Sequence, residues 1–265
     1  MAPIAAIARL ACALVLAAAC DLVLAANAEV GAIILHGKWG DPGRVVYTLA
    51  SALEREGYLV SSPEMPWSKR RQYDRSVEDA DAEIDAEIAK LKARGAKQIV
   101  LIGHSLGAGY ALHYGSRADL DGLIAIAPGH RPEAPRIAKD YASDVSRARE
   151  LVASGKPDER FSFTDFNTGN RRDRLAVSAK SFMSYFDPAG PMNMTRNAES
   201  VKPATPVLWL VPTREEAPLR DGGLALYKRL PANPNTKLGE PDADHMASPA
   251  ASIAIVIEWM RGIGK

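Results

Sequence analysis

A serine held between two glycines is the first place where this chain could do chemistry. Gly103-His104-Ser105-Leu106-Gly107 follows the apolar run 97–102 and leads into a segment with helical spacing. A strand that turns sharply into a helix needs small residues on both sides of the turning residue. Larger side chains there would collide with neighbouring elements. Such a turn lifts the Ser105 hydroxyl to the carboxyl edge of a sheet and sets a helix N-terminus behind it. That terminus offers unpaired N–H groups and a partial positive charge to a developing oxyanion. The chemistry is nucleophilic attack on a carbonyl. A serine hydroxyl is a poor nucleophile at neutral pH and needs a base within hydrogen-bond reach. Five histidines could supply one: His36, His104, His113, His130 and His245. The competing reading is a glycine-rich helix start used for packing alone.

The surrounding elements must place these groups. Residues 30–35, 58–61, 97–102, 122–127 and 207–211 read as strands, and a weaker one lies near 236–238. Between them run segments with helical spacing. One is expected to open at Asp41-Pro42, a cap residue followed by a proline at the first helical position, and to close at Gly57. A long one runs from about Ser76 to Arg94 and stops at Gly95. Ser248-Pro249 caps a last helix through Ile253, Val256, Ile257 and Met260. Near-continuous apolar strands alternating with helices imply a parallel sheet covered on both faces. The fold class expected is therefore α/β, a mostly parallel, doubly wound sheet. Residues 128–205 are too many for one helix and its loops. They hold a charged helix over 137–153, an aromatic stretch (Phe161, Phe163, Phe166) and a segment over 178–186. This cap-like insert reads as a lid over a substrate pocket, with a peripheral decoration as the alternative.

With the elbow and these strands in place, the chain resembles the α/β-hydrolase superfamily over nearly all of residues 29–265. Ile33-Ile34-Leu35-His36-Gly37 looks like the His-Gly segment after the family's third strand. The resemblance implies two oxyanion donors, the backbone N–H groups of Leu106 and of Lys38, with Trp39 as a weaker alternative to Lys38. It also implies the order nucleophile, acid, histidine. Only His245, in Asp242-Ala243-Asp244-His245-Met246, stands between the last short strand and the final helix, so it is the expected base. The acid should follow the strand 207–211, where the chain reads Pro212-Thr213-Arg214-Glu215-Glu216-Ala217-Pro218. Many members have Gly-x-x-Asp at this turn. Matching Pro212 to the glycine puts Glu215 in the acid position. A proline replaces the glycine and a glutamate the usual aspartate, so Glu216 and Asp221 remain alternatives. Glutamate can serve, because the acid orients and stabilises the imidazolium without taking its proton. Trp39, Met65, Trp67, His104 and His130 are candidates to line the substrate pocket, with core packing as the alternative for Met65 and Trp67.

The chain has 265 residues, 33 basic and 32 acidic side chains and a net charge of +1. That balance excludes a protein that binds polyanions by bulk charge. Lys69-Arg70-Arg71 reads as a solvated loop, so no nucleic-acid partner is expected. Gly107-Ala108-Gly109 lacks the third glycine of a dinucleotide loop, and there is no Walker-type Gly-Lys-Ser/Thr. No His, Asp or Glu cluster has metal-ligand spacing, so neither metal nor cofactor is expected.

The uncharged apolar run 10–19 and the small residues of Ala26-Asn27-Ala28 mark residues 1–28 as a signal peptide. Asp21 interrupts the run, against a spanning helix of about 20 apolar residues. Ala17-Ala18-Ala19-Cys20 loosely resembles a lipidation site, which is the alternative. Both cysteines, Cys12 and Cys20, fall in this leader, so the mature domain would carry neither disulfide nor thiol nucleophile. The expectation is an exported, periplasmic or secreted serine hydrolase without stable membrane insertion. It would act on a small-molecule acyl substrate that is ester-like, with amide and thioester left open. A non-catalytic binding protein of the same fold, and an acyltransferase using the same residues, are the alternatives.

Overall fold

A computed structural model of the chain describes residues 27–167 and 171–263. The expected leader lies outside the described residues, save for Asn27 and Ala28. The element order is β1 (Val30–Leu35), α1 (Tyr47–Arg55), β2 (Leu59–Ser61), α2 (Val77–Ala93), β3 (Gln98–His104), α3 (Leu106–Arg117) and β4 (Gly122–Ile126). It continues with α4 (Pro135–Ala153), β5 (Arg160–Asn167), β6 (Arg171–Ser178), α5 (Ala179–Phe186) and α6 (Met194–Ser200). The chain ends with β7 (Val207–Leu210), α7 (Ala217–Tyr227), β8 (Lys237–Gly239), α8 (Ser248–Ala251) and α9 (Ile253–Met260).

Six strands form one sheet in the order β2-β1-β3-β4-β7-β8, and every pairing in it is parallel. The central strands β1, β4 and β7 are buried along their whole length, and β3 everywhere but Gln98. Successive side chains alternate between two cores, as the strand period of two requires. Ile33, Leu35, Leu101, Leu123 and Trp209 pack on one side with α2, α3 and the insert. Ala32, Ile34, Val100, Ile124 and Leu208 pack on the other with α1 and α9. From β1 the chain steps to β2 on one flank and to β3 on the other. The carboxyl ends of β1 and β3 therefore border the crevice where parallel α/β sheets place their sites. Ser105 and the His36-Gly37 loop lie at those two ends.

One expectation needs correcting. The helix expected from Asp41 starts at Tyr47 instead, and residues 42–46 form turns. The Asp41 carboxylate accepts the Gly43 N–H at 2.9 Å, which gives the backbone a side-chain partner in place of a helical one. The aromatic stretch in the insert is one arm of an antiparallel hairpin, with Phe161 opposite Val177 and Phe163 opposite Leu175. Phe163 stacks on Phe182 at 4.1 Å, and Phe182 on Phe186 at 4.7 Å. These rings join the same core as Trp67 and Tyr110. At roughly 1.5–3 kcal/mol for each large side chain buried, the insert is welded to the sheet's covering layer. Among the described residues, no helix is long and apolar enough to cross a membrane.

Candidate active site

The turn after β3 is as tight as its glycines suggest. Ser105 has φ 55° and ψ −119°, a strained backbone for a residue with a side chain. A Cβ on Gly103 would lie 2.2 Å from the Gly107 carbonyl oxygen. One on Gly107 would lie 2.6 Å from the His36 carbonyl oxygen and 2.7 Å from that of Leu35. Neither position has room for a methyl group. The strain is held by hydrogen bonds on both sides. The Ser105 N–H donates to Ile126 O at 3.0 Å, and Ser105 O accepts from the N–H groups of Ala108, Gly109 and Gly129. Gly129 faces the hydroxyl, and a Cβ there would be 3.1 Å from Ser105 Oγ.

His245 and Glu215 come from the loops that follow β8 and β7. His245 Nδ1–H donates to Glu215 Oε2 at 2.6 Å, and only 3% of the Glu215 side chain is exposed. The other Glu215 oxygen accepts the Glu216 N–H at 3.1 Å. Glu216 and Asp221 are both exposed and, among the described residues, make no hydrogen bond to His245. The two loops are tied together through main-chain bonds from Thr213 N–H to Pro241 O and from Arg214 N–H to Ala243 O, each 3.0 Å. His104, next to the serine, approaches from the opposite side. Its Nε2–H donates to the His245 carbonyl at 2.9 Å, and the two imidazole rings are 5.0 Å apart. Burial and the neighbouring His245 push His104 down to about 3, so it remains neutral and works as a fixed donor. Among the described residues no hydrogen bond joins Ser105 Oγ to His245. Such contacts are commonly long before substrate binds.

On the other side of Ser105 lies the loop after β1. Met65 N–H donates to His36 Nε2 at 3.0 Å, so Nδ1 carries the ring proton and donates to Gly37 O at 2.8 Å. The Trp67 indole N–H donates to His36 O at 2.8 Å, and Trp39 N–H to Trp67 O at 2.9 Å. The Trp39 amide is therefore engaged. Among the described residues, the N–H groups of Lys38 and Leu106 have no protein acceptor. A Cβ on Gly37 would sit 3.0 Å from Ser105 Cβ, which measures how closely this loop approaches the serine.

The pocket candidates divide. Met65 and Trp67 have no exposed surface. They are core residues that brace His36 from below, and the expectation that they line a pocket is corrected. Trp39 is half-buried, with its ring edge-on to Tyr73 at 5.7 Å. His130 has φ 65°, donates from Nε2 to Tyr185 O at 2.8 Å and packs on Phe186. Burial and then the charge of Lys38 push it down to about 4. His113 faces Asp81 between α2 and α3, remote from these loops in the sequence order and in its partners. A polar cleft of about 300 Å³ lies elsewhere, lined by Asp74, Arg75, Asp79, Asp158 and Arg160 among others. Among the described residues, no cluster of three His, Cys, Asp or Glu side chains could hold a metal.

Sequence reasoning missed Gly129 and Asp165, the latter bonded to Lys38. Neither carries a local signal, since each matters through a residue distant in the chain.

A parallel, doubly wound sheet with a strained serine at the strand-to-helix turn defines an α/β-hydrolase fold. A family model described as "Alpha/beta hydrolase family" matches residues 32–256, and the chain belongs to that family. Among solved structures it is similar to one of the metagenome-derived lipolytic enzymes LipS and LipT, at 16% identity and TM-score 0.62. That match covers 88% of this chain and 94% of the other. It is also similar to Est1E from Butyrivibrio proteoclasticus, bound to ferulic acid, at 18% identity and TM-score 0.60, with 88% of each chain covered. A third is the monoacylglycerol lipase of Paleococcus ferrophilus, at 22% identity and TM-score 0.59, covering 88% of this chain and 95% of that one. Among curated proteins, none matches the chain.

Proposed function

We propose that this protein is a serine hydrolase of ester-like substrates that works through an acyl-enzyme on Ser105. The observation that carries the reading is a strained serine at the carboxyl end of β3, whose neighbour His104 bonds the carbonyl of an imidazole residue backed by Glu215. His245 Nε2 takes the Ser105 proton as Oγ attacks the carbonyl carbon. Glu215 holds Nδ1 protonated and stabilises the imidazolium. The free N–H groups of Lys38 and Leu106 receive the oxyanion, where preorganised donors act without reorganising. His245 then returns its proton to the leaving alkoxide. Water, deprotonated by the same imidazole, attacks the acyl-enzyme and frees Ser105 and the acid. The lipolytic and esterase relatives of the same fold support carboxylic esters as the substrate class.

The test is labelling by a fluorophosphonate probe together with turnover of p-nitrophenyl esters of graded chain length. Labelling at Ser105 that disappears in Ser105→Ala, with turnover, is the expected result. Clean folded protein that neither labels nor hydrolyses any ester would overturn the reading. Including a competing alcohol separates hydrolysis from acyl transfer by its products. We also propose export with removal of residues 1–28. N-terminal sequencing of the protein recovered outside the cytoplasm should begin at Glu29, and an intact leader or a lipidated Cys20 would refute that cleavage.

A further inference from the structure

Asp165 lies on β5 of the insert, far from Ser105 in the chain, and its side chain has no exposed surface. Its Oδ1 accepts from Lys38 Nζ at 2.5 Å and from the Tyr141 hydroxyl at 2.9 Å. Lys38 Nζ donates again to Phe166 O at 3.0 Å, while the Tyr141 oxygen accepts the Phe166 N–H at 2.9 Å. The ammonium is 6.0 Å from the centre of the Phe186 ring. Lys38 is thus gripped at its tip by β5, α4 and α5 of the insert, while its main chain belongs to the loop beside Ser105. Among the described residues, Asp165 Oδ2 is buried without a hydrogen-bond partner.

A buried ion pair is a poor way to gain stability, since a well-packed apolar pair often does as well or better. Its geometry suggests another role. Gly37 packs against Ser105, and the Trp39 amide is fixed on Trp67. Between these two anchors stands Lys38, whose free N–H is one of the two oxyanion donors proposed above. Among its own contacts, the side-chain tip is what ties that residue to the insert.

We propose that Asp165 is a positioning residue for the oxyanion hole: through Lys38 it fixes the main-chain N–H proposed above as an oxyanion donor, so the seating of the insert and the competence of the site are one event. The catalytic half of this rests on the serine-hydrolase reading; the ordering of the loop does not.

The experiment uses the folded protein with three variants. Asp165→Asn keeps the shape and removes the charge. Lys38→Met with Asp165→Leu replaces the pair by apolar side chains and is expected to keep the melting temperature near that of the parent. Arg149→Gln is the control, because it breaks the Arg149–Asp187 pair inside the insert without touching the loop. With p-nitrophenyl acetate, the first two should lose about 10–100-fold in kcat, as for a misplaced or missing oxyanion donor. KM should stay within about threefold, and the control within about twofold. Hydrogen exchange at residues 36–40, above all at the Trp39 amide, should quicken in the first two and not in the control. Unchanged kcat in the folded double variant, or a loss that falls on KM alone, overturns the catalytic role. Unchanged exchange overturns the inference entirely. If the parent protein neither labels nor turns over, the hydrolase reading fails, and exchange alone still decides whether Asp165 orders the loop.

Discussion

The two sides of Ser105 are built differently. The loop after β1 is the drier: His36 is buried against Met65 and Trp67 of the loop after β2, and in its ion pair Asp165 has no exposed side chain while Lys38 is 18% exposed. The loops that carry Glu215 and His245 are wet. Their cross-links are two main-chain bonds and ion pairs such as Arg214–Asp242, whose side chains are 58% and 81% exposed. His245 itself is 25% exposed, against 3% for Glu215. The contrast follows the demands on each side under the proposed mechanism. Fixed dipoles that meet a developing charge work best in a low-dielectric, immobile setting. A base that must pass protons to a leaving group and take one from water needs contact with solvent.

The contrast can be broken most strongly at Glu215. Glu215→Gln should lower kcat by about 10³–10⁴-fold, through loss of the tautomer and of imidazolium stabilisation. Melting should change little if the wet side contributes little to the core. On the dry side the balance should reverse. Trp67→Phe removes the donor to His36 O and should cost about 1–3 kcal/mol for the carbonyl left unsatisfied, measurable by chemical denaturation. Its activity loss should stay near tenfold or below, because the ring still fills the core.

Acid should sharpen the distinction further. His104 is held near 3 in the folded protein by burial and by His245, against about 6.5 when unfolded. Between those values the unfolded chain binds a proton that the folded chain refuses. Stability therefore falls as pH drops below about 6.5, and this contribution levels off near 3. The slope is at most about 1.4 kcal/mol per pH unit for such a group. Melting curves from pH 7 to pH 4 should show this decline; His113 and His130, each pushed down to about 4 by burial, add to it, so His104→Gln should make it shallower without abolishing it. The smallest effect is expected at Arg214→Ala, under about 1 kcal/mol for so exposed a pair. Activity within about threefold of the parent would support the view that main-chain bonds, rather than that pair, hold the acid and base loops.

The sequence made the sheet legible because its central strands are buried on both faces and read as unbroken apolar runs. It made the strand-to-helix turn legible because Gly103 and Gly107 flank Ser105 between an apolar run and a helical segment, where a packing-only helix start was the competing reading. The strand-end locations of Ser105, Glu215 and His245 could be read in the same way, while their chemical roles rest on the proposal. The hairpin β5–β6 was hidden. Its inward row runs Phe163, Asp165, and the charges Arg171, Arg172, Asp173 and Arg174 mask the alternation in its partner strand. Met65 and Trp67 misled, because large apolar residues in a loop after a strand look the same whether they face a ligand or brace a neighbour. The start of α1 was misplaced because a cap residue followed by proline also begins a turn. Asp165 could not be found locally at all, since its partner is separated from it by most of the domain.

Gly107 rests its bare Cα against the carbonyls of Leu35 and His36, so the helix that follows Ser105 and the end of β1 touch main chain to main chain. No side chain stands between them to be lengthened or trimmed. The distance between that helix and that strand is in effect cast into the scaffold. Evolution or a protein engineer could rework the side chains of the insert, but could not retune that backbone contact by trimming a side chain.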